Sequence, residues 1–256
     1  MRGFGAFLVK ELAEVFRTWR IWVLPGIVLF MAASGPPLAK YTLEILRTVM
    51  PADQAGAIVE AMPDPTYVDS YLQWTKNLSQ TVLIAAIIMF GGIVSSEKRS
   101  GTATLVLTKP LSRAAFVAAK FVSSAALLAV PVALGGALTW GLTYAFFGEA
   151  PLAPLASATG AWLVLGIGFV ALMELLSAAI DSQAGAAGIG LGVYIVASVA
   201  AMWGPALRYS PAGLTAAPTA LATGEPVSLA WPIGTGVVLA AVLVLATIVV
   251  FRRREL

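Results

Sequence analysis

The sequence predicts an all-α, polytopic membrane fold. It has six transmembrane helices, an amphipathic helix before the first, and a short helix in the connection between the second and third. Three observations carry this reading. The first is six long stretches without a single charged residue: 21–39, 77–96, 121–148, 150–173, 182–207 and 226–251. A helix rises about 1.5 Å per residue, so ~20 apolar residues cross a ~30 Å hydrocarbon core. Backbone polar groups in lipid must be satisfied internally, which makes helices the natural form of such runs. The second is composition: 59% apolar and 11% charged residues, with a mean hydropathy of +0.88. Soluble domains carry roughly 25% charged residues. The third is charge asymmetry between alternate connections. Twelve of the basic residues, among them Lys10, Arg17, Lys98, Arg99, Arg113, Lys120 and Arg252, fall at the chain ends or between spans two and three. Four, Lys40, Arg47, Lys76 and Arg208, fall on the other side beside most of the acidic residues. Positive charge marks the cytoplasmic side, so both termini are expected there.

In chain order, residues 4–19 precede the first span. Phe4, Phe7, Leu8, Leu12, Val15, Phe16 and Trp19 recur at three- and four-residue steps on one helical face, and basic residues lie mainly elsewhere. Such a helix lies in the headgroup plane or packs on other protein. Glu11 and Glu14 argue against a signal peptide. Span one, expected over 21–39, should end at the breaker Ser34-Gly35-Pro36-Pro37. An external loop of residues 40–76 then holds two short helices divided at Pro51. Tyr67, Tyr71 and Trp74 fit an aromatic belt at the outer interface.

Ser70, Gln73, Asn77, Gln80 and Thr81 form a polar stripe into span two (77–96), suited to lining a vestibule or to bonding between helices. Span three (117–147) exceeds what thickness requires, so it should tilt or protrude, with a kink at Pro131. Spans four, five and six are expected at 154–180, 183–204 and 229–251. Gly185, Gly188 and Gly192 form a small-residue face in span five, suited to helix packing or dimer formation. All of this is one transmembrane domain, with no room for a separate soluble one.

Several chemistries are excluded or narrowed. There is no cysteine and no histidine, so thiolate metal sites, cysteine nucleophiles and imidazole bases are absent. No G-x-x-x-x-G-K-[ST] phosphate loop occurs. Glu174 and Asp181, seven residues apart and expected on one side of a helix near the inner end of span four, stand out because an ionisable group within a span is costly. They are candidates for a structural ion pair with Lys120, for a substrate pathway or for proton coupling.

The cytoplasmic connection 97–113 is the most specific feature. Gly101 breaks the chain, residues 102–108 form a short helix, Pro110 stops it, and Ser112 caps the next helix. Leu105 and Leu107 are apolar between basic flanks, as in a helix that docks in a partner's groove or lies on the inner leaflet.

The pattern Glu97-x-x-Ser100-Gly101-Thr102, Leu105-x-Leu107-Thr108-x-Pro110-x-Ser112-Arg113 and Lys120 resembles the hallmark loop of type-2 ABC (ATP-binding-cassette) exporter permeases. Lys10-Glu11-Leu12, Arg17-Thr18-Trp19-Arg20, Ser34 to Leu38, Ser177 to Gly192 and the Phe251 to Leu256 tail match in order. The resemblance implies that residues 4–19 are an elbow helix. It also implies a coupling helix in which Gly101 bends the chain, Leu105 and Leu107 dock, and Ser112 caps. Glu97, Thr102, Pro110 and Arg113 share the motif, and Glu97 is a candidate partner for Arg99, Arg113 or Lys120. The docking partner would be a separate ATP-binding subunit carrying ATP and Mg, so this chain would not itself be catalytic. Two permease copies would form the substrate pathway, with membrane lipid around them and no nucleic acid. Other readings are a permease that transmits force to an external partner through residues 40–76, and an autonomous membrane transporter.

Overall fold

The computed structural model describes residues 3–18, 20–51, 56, 59–100 and 111–253. These are 84% helical and contain no strand. Six helices are long and apolar enough to cross a membrane, and the chain is a membrane protein.

Helix α1 (Phe4–Arg17) precedes α2 (Arg20–Lys40) and α3 (Thr42–Val49). Span two is composite: α4 (Tyr67–Asn77), a π-helical turn (Leu78–Val82) and α5 (Leu83–Phe90). A turn over 91–94 leads into α6 (Ser95–Arg99). The remaining elements are α7 (Arg113–Phe147), α8 (Leu152–Ala179), α9 (Gln183–Ala200), α10 (Gly204–Tyr209), α11 (Gly213–Ala222) and α12 (Ala230–Arg253).

Two sequence expectations about helix ends are corrected. The breaker at Ser34–Pro37 does not end the first span, since α2 runs through Pro36 and Pro37 to Lys40. A neighbouring helix supports this stretch, as membrane helices do for proline-containing turns. Asn77 Nδ2 donates to the Met31 carbonyl (3.2 Å), and Gln73 packs over Gly35. Span two begins at Tyr67, ten residues before the expected 77. Asp69 sets that start by accepting the Thr66 backbone N–H (2.7 Å) at the first turn. The connection between spans one and two is correspondingly shorter. Its first short helix is α3, whereas the second falls largely outside the described residues.

Helix α7 spans 35 residues, about 52 Å, and continues through Pro131. It closes at Gly148, whose φ of +76° lets its N–H cap the Tyr144 carbonyl (2.9 Å).

Helices α2, α4 and α8 pack around α7, while α8 also carries α9, α11 and α12. At the centre Trp74 lies against Gly135, where a Cβ would come within 2.7 Å of the indole. The Trp74 Nε1–H donates to Thr159 Oγ1 (3.0 Å), and Ser70 bonds Thr143 across helices (2.6 Å). Ser70 and Asn77 of the polar stripe therefore bond helices together.

The small-residue face of α9 is only partly used within the chain. Gly190 meets Met173 and Ile87, and Gly185 meets Ser182 and Ile180. Gly188 and Gly192 face open space. The close approach in α9 is thus made by Gly190, midway between Gly188 and Gly192 and two residues from each.

Candidate functional site: a buried charged node

At one end of the bundle, α1, α6, α7 and α12 converge on an aromatic stack. Phe116 of α7 lies between Phe7 of α1 (5.2 Å between centroids) and Phe251 of α12 (5.1 Å, nearly parallel). All three rings are buried. One helical turn along α7, Lys120 passes over the Phe116 ring (5.1 Å to the centroid).

Lys120 is 1% exposed and binds two carboxylates: Glu11 of α1 (2.9 Å) and Glu97 of α6 (2.5 Å). Glu11 also accepts from Lys10 (3.1 Å), which in turn pairs with Glu14. Burial alone would lower the Lys10 ammonium. The carboxylates of Glu14, Glu11 and Glu97 outweigh it and hold Lys10 above its ordinary value. Buried charges persist when paired in good geometry, and deleting one partner strands the others.

The chain flanking residues 101–110 is anchored at both sides of that segment. Glu97 is held by Lys120 before it. After it, Ser112 Oγ accepts the Ala115 N–H (3.1 Å) as the N-cap of α7. Arg113 then donates to the carbonyls of Phe251 (3.1 Å) and Arg252 (2.7 Å), capping the end of α12. Cations favour that helix end.

A second set of bonds fixes the turn at 91–94. Ser177 Oγ of α8 accepts the backbone N–H groups of Val94 and Ser95 (3.0 Å each). Gln183 Nε2 donates to the Ile88 carbonyl (3.0 Å), and Gln183 presses on Gly91 and Gly92. A Cβ on Gly91 would come within 2.9 Å of the Gln183 carbonyl, so glycine permits this approach.

Several sequence expectations are resolved here. Of the three proposed partners of Glu97, Lys120 is the one it binds. Lys120 makes its ion pairs with Glu11 and Glu97 rather than with Glu174. Glu174 is fully buried, and neither carboxylate oxygen has a hydrogen-bond partner among the described residues. Glu174 and Asp181 do not share a helical face, because α8 stops at Ala179 and Asp181 is exposed in the following turn. Gly101, Thr102, Leu105, Leu107 and Pro110 lie outside the described residues.

Glu11 escaped the sequence reading of the node, although a signal existed. It continues the Phe4, Phe7, Leu8 face at three-residue spacing, a lone acid on an apolar stripe. The Phe7–Phe116–Phe251 stack joins residues far apart in the chain and leaves no local signal.

The carboxylates of Glu11, Glu14 and Glu97 lie within 4.8 Å of one another, and theirs is the acidic cluster found among the described residues. Lys10 and Lys120 already occupy that negative field. A metal ion would have to compete with both ammonium groups. The arrangement ties the chain on either side of residues 101–110 to α1, α7 and α12.

The family model described as "Protein of unknown function (DUF2705)" matches residues 60–256. That range takes in Glu97, Lys120, Glu174 and Phe251. No curated protein matches the chain.

Proposed function

The chain belongs to the DUF2705 family, and we propose that it is the permease subunit of an ATP-driven ABC exporter. In this reading the segment 101–110 is a coupling helix seated in a cleft of a separate ATP-binding subunit. That subunit binds ATP and Mg and hydrolyses the nucleotide. The permease works as a dimer in the cell membrane, with both termini cytoplasmic and α1 as an interfacial elbow.

The observation that carries the reading is the double anchorage of residues 101–110. A push delivered to this segment passes through Glu97 to Lys120 and α1, and through Ser112 and Arg113 to α7 and α12. A surface loop with no mechanical duty needs no buried lysine behind it. The charge pattern supports the orientation, since the node lies at the end richest in Lys and Arg. Gly188 and Gly192, open within one chain, offer small-residue surface to a second copy.

Co-purification with the ATP-binding subunit encoded beside this chain's gene tests the proposal. Wild type is expected to capture the ATPase, whereas Leu105→Asp loses it at unchanged yield and melting temperature. A well-folded wild type that captures no ATPase in several mild detergents overturns it.

A further inference from the structure

The opposite end of α12 carries a different kind of polar site. Trp231 and Phe251 are twenty residues apart on this helix, about 30 Å, the thickness of a hydrocarbon core. With Phe251 in the charged node, Trp231 stands at the other membrane interface, where aromatic side chains anchor at headgroup level.

There, α10, α11 and the start of α12 enclose a cavity of about 630 Å³. Arg208 and Glu225 both line it, yet neither closes a salt bridge among the described residues. Two opposite charges therefore border one space without a direct ion pair between them. Tyr209 and Trp231, in edge-to-face contact (6.1 Å, 74°), form its aromatic side.

Trp231 also begins a second, apolar hollow of about 710 Å³ that continues down α12 past Val238 to Val242. These positions recur along one helical face over about 16 Å. Gly234 keeps that face low, with open space where a Cβ would project.

We infer that this pair of hollows binds one zwitterionic glycerophospholipid. Arg208 takes the phosphate, for which its planar guanidinium is suited. Glu225 accepts from the ammonium group, and the groove along Val238 and Val242 takes an acyl chain. Charge complementarity selects the headgroup: an anionic lipid would satisfy Arg208 and leave Glu225 facing like charge. The inference rests on the membrane-spanning reading and is independent of any ATPase partner.

The full-length chain, reconstituted in nanodiscs with equal phosphatidylethanolamine and phosphatidylglycerol and then released for native mass spectrometry, provides the test. Wild type should retain phosphatidylethanolamine about tenfold over phosphatidylglycerol, the scale of one charge-assisted hydrogen bond. Glu225→Gln should remove that preference and Arg208→Gln should lower retention of both lipids, and since both positions are exposed neither change should alter the melting temperature. Val238→Trp should lower retention of both lipids by filling the groove. Equal retention of the two lipids by wild type, a preference for phosphatidylglycerol, an unchanged preference in Glu225→Gln, or unchanged retention of both lipids in Arg208→Gln overturns the proposal.

Discussion

Span two and span six differ in a way that reverses the rule learned from soluble proteins. Span six (Ala230–Arg253) is the more apolar, with a mean hydropathy of 2.7 in its best window against 2.0 for Tyr67–Glu97. Yet 11% of the span-six window is buried in the protein and 67% of the span-two window is. Lipid is as apolar as leucine, so hydrophobicity drives a residue into the membrane and not into the protein interior. What draws span two inward is its polar and irregular content: Ser70, Trp74, Asn77, the π-helical turn and the Gly91–Gly92 turn. Ser70, Trp74, Asn77 and the Gly91–Gly92 turn each take a partner from another helix. Of these two spans, the one with polar and broken stretches is the core helix and the uniformly apolar one is peripheral.

Substitutions can test that contrast, beginning with the largest effect. Lys120→Met leaves Glu11 and Glu97 buried without their shared cation, which should cost about 3–5 kcal/mol. Chemical denaturation in detergent should show it, and adding Glu97→Gln to Lys120→Met should recover part of the loss. A wild-type midpoint for Lys120→Met alone would mean the node is not a stabilising centre. The next effect belongs to the Trp74 contact. Gly135→Val places methyl groups where the indole and Val28 already lie, and overpacking of this kind costs about 1–3 kcal/mol. Thermal unfolding followed by tryptophan fluorescence would report it; an unshifted transition would argue against close packing of span two. The smallest effect is expected on span six. Gly234→Ala meets nothing within 4 Å and should raise stability by up to about 1 kcal/mol through helix propensity. A loss of the same size would show that the exposed face of α12 packs on something after all.

Much of the architecture was legible because a bilayer imposes one length on every crossing segment. The six charge-free runs correspond to the six long helices, and ends set by local chemistry, such as Ser112 before α7, were readable from neighbouring residues. Ends set by other helices were not. Pro36 and Pro37 read as a stop when taken alone, whereas the support at that level comes from Asn77, more than forty residues away. The same holds for the site. Glu97 and Lys120 both stood out as charges at a span end, but three candidate partners could satisfy Glu97, and Lys120 had Glu174 within equal sequence logic.

The sequence by itself determined that the chain is helical and membrane-spanning, and which residue types it lacks. Those properties follow from residue type and run length, summed locally along the chain. Only the tertiary structure decided that Lys120 joins Glu11 to Glu97, that Phe116 stacks between Phe7 and Phe251, and that Glu174 is buried away from Lys120's ion pairs. A short-range ionic contact depends on how helices far apart in sequence cross, and that crossing is set by interlocking side chains such as Trp74 on Gly135.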